Sequence, residues 1–478
     1  MKYRKWKRAI SAVLCLSAFC SLFTACEGPE TKETVAEPME LMEIEEVDTF
    51  SFDFIGGTDV MPLAGYFGPQ GYSYSAKGQN IPDYFTDEFM QMVVDCGVNI
   101  FSANGAEYST WPHKTEQLLD LCEKHGIGLF VNDYNVNQKL GEESLTLVEL
   151  DEQLQNYINH PACIGSYVVD EPKGTNFMAD AIGKNVNDYS TLVTNLTELN
   201  VVPYTNLFPM TSIGTKDIYK EYLSEFLECC PVPYISYDRY LFNEGNNLTY
   251  ANEHFVNMAL IREAAEKEGI PFWCFVQAGA QWNDAMAHFD SKGYWPEQGA
   301  FLWQANTSIA FGAKGLQYFP LLQPYWFAYA QTEDFDFQRN GLISAWATKN
   351  RWWYYAQIVN KQIAAVDEVL MNSVNKGVIA SSTSVRGDFR DVAYLMTGTS
   401  WRELADVKGD AMISCFNYFG KSAFYVVNYD IEYAQEITLD FMNTYNMKVI
   451  QEAEEKYHAI DSLKLTMAPG EGVLVVME

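Results

Sequence analysis

Basic residues are scarce in this sequence of 478 residues. Lys and Arg number 32 against 63 Asp and Glu, and five of the 32 lie within residues 2–8, ahead of the first acid. The rest of the chain therefore carries 27 basic residues against all 63 acids. A surface with this excess of negative charge repels phosphate backbones and anionic lipids, so nucleic acid is excluded as a partner.

The sequence patterns of metal, redox and dinucleotide sites are missing as well. The six His residues show no HxH or HExxH spacing, and the ten Cys residues form no CxxC pair. Seven Cys follow Cys26, mostly inside apolar runs, and we interpret them as buried thiols because an odd number does not complete a disulfide framework. No GxGxxG follows the first predicted strand. The sequence therefore predicts neither a metal nor a cofactor.

The first 26 residues have the composition of a targeting signal. Residues 2–8 are basic, and residues 9–25 form an apolar run. The run closes on Thr24, Ala25 and Cys26, which resembles a bacterial lipobox, although Phe23 stands where that pattern usually has Leu. We expect residues 1–26 to be a lipoprotein signal peptide, with Cys26 lipidated as the first residue of the mature protein. An ordinary secretory signal with an incidental cysteine is the alternative.

An acidic segment follows the signal. Residues 27–48 hold nine acids, one Lys and no aromatic residue, a composition that cannot bury enough surface to become ordered. We predict that residues 27–52 are a solvated linker. No later stretch is long and apolar enough to cross a bilayer, which takes about 20 residues. We therefore expect an extracytoplasmic protein that the lipid anchor alone holds on the bacterial cell membrane.

Eight short apolar runs, spaced by helical patterns, predict a closed (β/α)₈ TIM barrel over residues 53–375. Several runs are apolar throughout, as strands are when both faces of a parallel sheet are covered. Helical periodicity occupies the intervals, for example 83–96 and 115–125, and a long helix over 343–371 closes the barrel. The predicted strands are 61–67, 98–103, 127–132, 163–170, 201–207, 232–237, 270–277 and 313–319.

The texture changes after about residue 376. Short runs that alternate apolar and polar residues are separated by turn residues and have no helical period. This pattern predicts a small antiparallel β-sandwich over residues 376–478, which makes the fold class α/β with an added all-β domain. The predicted strands are 412–418, 423–429, 436–441, 447–452 and 472–477.

Reactive residues of such a barrel project from the C-terminal ends of its strands. Amides, carboxylates and aromatic rings dominate these positions, which suits a polyhydroxylated substrate. The candidates for substrate binding there are Tyr66, Asn104, Asn132, Asp133, Asp170, Asn206, Gln277 and Tyr318. Trp282, Trp295 and Trp326, in loops after strands, are candidates for stacking on sugar faces, in a chain with 15% aromatic residues.

The sharpest pattern is the run HPACIGSYVVDEP, residues 160–172. A buried strand ends in Asp170 and Glu171, and Pro172 biases Glu171 toward extended backbone, so we expect the strand to continue through that residue. A carboxyl group hemmed by Tyr167 and other rings has its pKa raised and can act as a general acid. The alternative is that the two acids merely cap the next helix.

At this point the sequence resembles the clan A glycoside hydrolases. These are retaining (β/α)₈ enzymes whose acid/base Glu follows strand four and whose nucleophile Glu follows strand seven. Further stretches similar to secreted barrel proteins of this type are 234–240 (YISYDRY), 271–277 (PFWCFVQ) and 303–319. The resemblance implies that Glu171 is the acid/base and that the partner is a carbohydrate, an extracellular oligo- or polysaccharide.

Two positions depart from the pattern of the clan. Asp170 stands where most members have Asn, and the tip of strand seven carries Gln277, whose amide cannot be a nucleophile. Either the strand count slips by one or the second carboxylate comes from elsewhere. Asp238 is one candidate, with a salt bridge to Arg239 as its alternative role. Glu297 is the other, at the start of a predicted helix over 297–311, where an acid is also an ordinary N-terminal residue.

Two functions follow from these features. The first is a glycosidase that uses Glu171 with Asp238 or Glu297. The second is a non-catalytic glycan-binding lipoprotein in which Gln277 records a lost nucleophile. A solute-binding protein of a transporter fits the anchor but not the eightfold pattern. Barrel folds host many chemistries, so the site has to decide.

The lipobox-like pattern makes a prediction about Cys26. We expect Cys26→Ala to block processing of the signal or to release the protein from the membrane, because the thiol that would carry the lipid is gone. Membrane fractionation and gel mobility measure this. A variant that stays membrane-bound at wild-type mobility would contradict the lipoprotein assignment.

Overall fold

The computed structural model describes residues 59–70, 75–76, 79–80, 82–175, 184–242, 246–279, 296–323 and 341–478. The predicted signal peptide and linker, 1–26 and 27–52, lie outside the described residues. Within the described part of the chain, no helix is long and apolar enough to cross a membrane.

Eight parallel strands form the predicted barrel. Their order around the barrel is β5-β4-β3-β2-β1-β8-β7-β6, and Leu207 closes the ring by pairing with Tyr237, its N–H donating to the Ser236 carbonyl at 2.9 Å. Each strand overlaps its predicted run, so the barrel prediction is confirmed. The strands are β1 (Leu63–Gln70), β2 (Ile100–Gly105), β3 (Gly128–Val131), β4 (Cys163–Asp170), β5 (Pro203–Asn206), β6 (Ile235–Tyr237), β7 (Phe272–Gln277) and β8 (Gly315–Phe319).

Helices cover the outside of the barrel. Amphipathic spacing places Phe89, Met90 and Val93 of α1 against the sheet, and the Thr86 hydroxyl caps that helix by accepting from the Phe89 N–H. The helices are α1 (Asp87–Asp95), α2 (Pro112–His125), α3 (Tyr134–Asn137), α4 (Leu147–Leu154), α5 (Ser190–Glu198), α6 (Met210–Ile213), α7 (Lys216–Cys229), α8 (Ala251–Glu268), α9 (Gln298–Ala310), α10 (Arg351–Met371) and α11 (Thr383–Gly387).

Helix α10 is shorter than the predicted 343–371. The chain first forms a turn, in which the Ser344 N–H donates to the Thr348 carbonyl at 2.9 Å and the two side-chain hydroxyls lie 2.6 Å apart. Because this turn uses the local backbone groups, the helix starts only after Asn350. Apolar residues alone do not reveal such a turn.

The C-terminal residues form an antiparallel β-sandwich, as predicted. Strand order is β9-β11-β12-β15-β13-β10, with β14 paired to β13. The long β13 spans two predicted strands, 436–441 and 447–452, and a register shift between Asp440 and Tyr445 lets it pass from one layer to the other. The strands are β9 (Val374–Ala380), β10 (Leu404–Lys408), β11 (Ala411–Tyr418), β12 (Lys421–Asn428), β13 (Gln435–Gln451), β14 (Glu454–Met467) and β15 (Gly472–Met477).

Alternation along the sandwich strands separates two cores. On β12, Phe424 and Val426 belong to the core between the two layers, while Ala423, Tyr425 and Val427 join the core of the barrel. The sandwich therefore packs one face against the barrel helices.

Helix α9 is where the two units meet most closely. The Tyr425 hydroxyl donates to Asn306 Oδ1 at 2.8 Å, and Asn306 Nδ2 donates to the Gly470 carbonyl at 2.8 Å. Gly470 has φ +65°, and a Cβ there would collide with the Gly299 carbonyl oxygen and the Trp303 nitrogen. Both the backbone conformation and the close approach require glycine.

We expect Gly470→Ala to lower the free energy of unfolding by about 2–3 kcal/mol, because it adds backbone strain and a clash at the α9 contact. Gly387→Ala is the control, since a Cβ there meets nothing within 4 Å and the φ is not positive. Urea unfolding of both variants measures the difference. Equal stability of the two would show that the α9 contact is not tight.

Candidate active site

Three carboxyl groups meet at the C-terminal end of the barrel. Asp170 ends β4, Glu171 follows it, and Asp238 follows β6. Asn206, at the end of β5, lies between the strands and donates from Nδ2 to Asp170 Oδ1 at 2.9 Å and to Asp238 Oδ1 at 3.3 Å. Glu171 and Asp238 are hydrogen-bonded through their side chains. We call these three acids the carboxyl cluster.

The backbone at Glu171 differs from the prediction. The strand stops at Asp170, and Glu171 has φ +50°, a left-handed conformation that a residue before proline rarely adopts. The Glu171 N–H donates to the Asn206 carbonyl at 2.8 Å, and the Tyr222 hydroxyl donates to the Pro172 carbonyl at 2.7 Å. These two bonds hold the turn, which brings the Glu171 carboxyl to Asp238. Strain of this kind costs about 1–3 kcal/mol and clusters at functional sites.

Burial raises the pKa of every member of the carboxyl cluster, and repulsion from neighbouring carboxylates adds to the rise for Glu171 and Asp238. Burial, then the charges of Asp238 and Asp170, raise the pKa of Glu171 to about 9. Burial and the charge of Asp170 raise the pKa of Asp238 to about 7, while the bond from Asn206 opposes that rise. These raised pKa values favour the retention of a proton on the Glu171–Asp238 pair near neutral pH.

Asp170 is the most exposed member of the carboxyl cluster, and Glu171 is partly exposed. The Asp170 side chain is exposed, whereas Asp238 is only 6% exposed. Protein atoms still surround Asp170 closely enough that lost hydration raises its pKa, against the hydrogen bonds from Asn206 and Tyr66. An exposed carboxylate at the floor of a concave site accepts hydrogen bonds from hydroxyl or amide donors of a ligand.

The alternative roles considered for these acids do not match the structure. In the described part of the chain after β4, the first helical segment is capped by Asn185 and not by Asp170 or Glu171. The Arg239 guanidinium donates to the Tyr240 carbonyl at 2.7 Å and to Glu253 at 3.4 Å, and makes no hydrogen bond to Asp238.

Aromatic rings wall the site. Tyr66 on β1 lies at 5.5 Å, between ring centroids, from Phe275 on β7 and at 5.8 Å from Phe319 on β8. Tyr240 packs on Phe319 at 5.3 Å, and the Tyr66 and Tyr167 hydroxyls lie 3.5 Å apart. These rings exclude water from one side of the carboxyl cluster, which is the physical origin of its raised pKa values.

A buried chain of four polar side chains crosses the barrel beneath the cluster. Ser236 Oγ donates to Asn206 Oδ1 at 2.9 Å, Gln317 Nε2 donates to Ser236 Oγ at 2.6 Å, and the Tyr204 hydroxyl donates to Gln317 Oε1 at 2.8 Å. We call Asn206, Ser236, Gln317 and Tyr204 the polar relay. Of these residues, Tyr204 and Ser236 were not predicted from the sequence to lie at the site. Their two-residue spacing from strand-tip residues, Tyr204 from Asn206 and Ser236 from Asp238, was the available clue.

Tyr318 does not reach the site, so the prediction of a substrate contact there was wrong. Its hydroxyl donates to Asn360 on α10, and its ring stacks on Phe301 of α9. The reason is strand alternation: Gln317 and Tyr318 point to opposite sides of β8, and the inward position belongs to Gln317.

Gln277 was also predicted to contact substrate, and its amide is instead engaged inside the protein. Its Oε1 accepts from the Phe242 N–H at 3.1 Å, and its Nε2 donates to the Phe242 carbonyl at 3.3 Å and the Gly279 carbonyl at 2.9 Å. The side chain thus ties the segment after β6 to the end of β7. This position requires an acceptor and two donors, which an amide has and a carboxylate lacks.

The polar residues after β3 are likewise engaged in holding loops. Asp133 is fully buried and caps α3, and its second oxygen accepts from Gln153 at 2.8 Å and from the Tyr157 hydroxyl at 3.2 Å. Asn132 accepts from Asn137 at 2.7 Å. The predicted substrate contact through Asp133 is therefore wrong, because the side chain is fully buried and both of its oxygens accept hydrogen bonds within the protein. Asn104 lies in β2, and its side chain is outside the described part of the structure.

Glu297 lies apart from the carboxyl cluster, so its predicted catalytic role is wrong. It is the residue before α9, its side chain is 52% exposed, and its carboxylate lies 3.7 Å from the Arg351 guanidinium. The Glu297 N–H donates to Asn246, in the segment between β6 and α8, at 3.0 Å. The predicted stacking residues Trp282, Trp295 and Trp326 lie outside the described residues.

Among the described residues, no group of three or more His, Cys, Asp or Glu side chains is arranged to hold a metal ion. The groups present at the site are a carboxyl with a raised pKa, neighbouring carboxylates, amide donors and aromatic rings.

No protein-family model matches this chain, and no curated protein is significantly similar to it in sequence. Solved structures that it resembles include a GH30 endoxylanase from Clostridium papyrosolvens, 12% identical with a TM-score of 0.43 over 91% of this chain and 97% of that one. A family 51 alpha-L-arabinofuranosidase from Bifidobacterium longum is 11% identical, with a TM-score of 0.43 over 91% and 98%. A maltogenic alpha-amylase from Thermotoga neapolitana is 9% identical, with a TM-score of 0.42 over 88% and 99%. At these scores the likeness carries no argument about activity.

The contacts of Gln277 predict the effect of restoring a carboxylate there. We expect Gln277→Glu to lower the free energy of unfolding by about 2–4 kcal/mol near neutral pH, since two buried carbonyls lose their donors and face a carboxylate. We also expect that Gln277→Glu does not increase turnover over the wild type. Gln298→Glu, exposed in the first turn of α9, is the control and should change stability by less than about 0.5 kcal/mol. An active Gln277→Glu variant of wild-type stability would show that Gln277 is a lost nucleophile.

Proposed function

We propose that this protein is a glycoside hydrolase that cleaves O-glycosidic bonds of an extracellular oligo- or polysaccharide. The observation that carries the proposal is the Glu171–Asp238 pair, in which a protonated carboxyl with a raised pKa lies against an ionisable partner. Glycosidases need one carboxylic acid to protonate the leaving oxygen and a second carboxylate to meet the positive charge that develops on the sugar.

Glu171 is the general acid in this proposal, and Asp238 is the second carboxylate. Of the two candidates for the second carboxylate, Asp238 belongs to the carboxyl cluster and Glu297 does not. The close interaction of the two carboxyl groups favours a retaining mechanism, in which they are about 5–5.5 Å apart, over an inverting one, in which they are about 6.5–9.5 Å apart. The leaving oxygen would replace Asp238 as the acceptor of the Glu171 proton.

Asp170 and the aromatic walls supply binding. The exposed Asp170 carboxylate accepts from sugar hydroxyls, and rings such as Tyr66 and Tyr240 offer apolar faces. With the lipid anchor expected at Cys26, the barrel would work outside the cell membrane, tethered by residues 27–52. Residues 53–375 are then the catalytic domain, and 376–478 a domain that braces it.

A non-catalytic glycan-binding protein is the second candidate. Its main support was Gln277 as a lost nucleophile, and the contacts of that side chain give Gln277 a structural reason to be an amide. A binding site also gains nothing from a strained Glu171 turn that places two carboxyls in contact. Ligand binding without any turnover would favour this candidate.

Glu171→Gln should lower kcat by at least about 10²-fold on the active substrate, because the amide keeps the shape and loses the proton. Ligand affinity should change little. Glu198→Gln, exposed at the end of α5, is the control and should keep full activity. A screen of polysaccharide hydrolysis identifies the substrate, and steady-state kinetics measure the loss. Near-normal turnover of Glu171→Gln would contradict the assignment of Glu171 as the general acid.

The pH profile should show the raised pKa of Glu171. In the wild type, kcat/KM should fall as the pH rises through about 9, not near the ordinary Glu value of about 4.3, because the acid must stay protonated. Asp238→Asn replaces the carboxylate that interacts with Glu171 and removes its negative charge. The pKa of Glu171 should therefore fall, and the alkaline limb of the residual activity should move to lower pH. An alkaline limb that does not move in Asp238→Asn would contradict the coupling of the two groups.

A further inference from the structure

The direction of every hydrogen bond in the polar relay follows from the carboxyl cluster. Asn206 faces Asp170 and Asp238, and an amide oxygen would be repelled by their oxygens, so its NH₂ group must point to them. Its Oδ1 then faces Ser236, whose single hydrogen must point to it.

The directions of the other hydrogen bonds in the polar relay follow from the orientation of Ser236. Because the hydrogen of Ser236 is committed to Asn206, Ser236 offers only lone pairs to Gln317, which must present its NH₂ group. Gln317 then has its Oε1 left, and that atom accepts from the Tyr204 hydroxyl. All four side chains are at most 2% exposed, so water does not compete for these positions. The relay therefore runs in one direction, with its donors ending on the two Asp carboxylates.

We propose that the polar relay decides which acid of the carboxyl cluster carries the proton. Its terminal N–H groups stabilise the ionised forms of Asp170 and Asp238, so the proton goes to Glu171, which receives no donor from the relay. Ser236 and Gln317 are then positioning residues that act through Asn206. The catalytic consequence rests on the proposed function, whereas the distribution of the proton does not.

Two other groups around the cluster act in the same direction as Asn206, because Tyr66 bonds to Asp170 and the charge of Arg239 acts on Asp238. The tyrosines that face the cluster stay neutral, because burial raises their pKa values, and Arg239 turns its guanidinium to the Tyr240 carbonyl and Glu253. Those tyrosines are Tyr66, Tyr167, Tyr204, Tyr222 and Tyr240. The donors of Asn206 act on both Asp residues and not on Glu171.

Ser236→Ala tests the proposal through stability, with no need for a substrate. Without the Ser236 hydroxyl, Asn206 loses its anchor, and the native pKa of Asp238 rises further. When the native pKa of a carboxyl is raised, the free energy of unfolding of the protein falls as the pH rises toward that pKa. The substitution therefore costs more stability at a pH where Asp238 is ionised in the wild type. We expect the loss in Tm to be about 1–1.5 °C greater at about pH 8.5 than at about pH 5.

Tyr318→Phe is the matched control. Tyr318 is the residue after Gln317 on β8, and the substitution removes its buried hydrogen bond to Asn360 on the outside of the barrel. Its loss in Tm should be the same at both pH values. Ser236→Thr keeps the hydroxyl, so its loss should also be independent of pH, whatever the packing cost. Gln317→Met should follow Ser236→Ala in sign, and it replaces that variant if Ser236→Ala does not fold. A pH-independent loss in both Ser236→Ala and Gln317→Met overturns the proposal.

Kinetics separate this inference from the proposed function. On an active substrate, Ser236→Ala should move the acidic limb of kcat/KM upward by about 0.5–1 pH unit, since part of a charge-assisted hydrogen bond to Asp238 is lost. KM should change little. If the stability pattern appears but no glycan is cleaved, the proposed function fails and the relay stands. If glycan is cleaved with an unmoved limb and no stability pattern, the relay fails and the function stands.

Discussion

The repulsion between buried carboxyl groups is the constraint on which the rest of this site depends. Asp170, Glu171 and Asp238 meet where aromatic rings exclude water, and they cannot all be ionised there. The structure resolves the conflict with one retained proton and with amide donors from Asn206. A retained proton beside ionised neighbours is also what acid catalysis requires, so the same constraint links the stability of the site to its proposed chemistry.

Holding the acids together needs support from outside the cluster. Gln277 ties the segment after β6 to β7, and its own N–H donates to Gln304 of α9 at 3.0 Å. Two residues further along the helix, Asn306 binds the C-terminal sandwich through Tyr425 and Gly470. Helix α9 thus connects the floor of the site to the second domain. This connection gives the β-sandwich a physical role that does not require it to contact substrate.

The charge of the whole chain fits this local picture. An acidic surface with an acidic cleft favours uncharged polyhydroxylated ligands over anionic polymers. Many of the aromatic residues pack in the core, since rings such as Tyr219, Trp273 and Trp303 are fully buried. Composition therefore indicates the class of ligand but does not locate the subsites.

Local pattern by itself determined the eight strands, their order, the change to an all-β domain and the acids at the end of β4, because apolar periodicity and strand ends are properties of contiguous residues. It also named Asp238 and Asn206, which terminate neighbouring strands. Only the tertiary structure decided that Glu297 faces Arg351, that Tyr318 points outward and that Gln277 bonds to backbone. Those outcomes depend on which side of a strand faces inward and on partners tens of residues away. The left-handed turn at Glu171 belongs to the same group, since bonds to Asn206 and from Tyr222 to Pro172 override the local preference before proline.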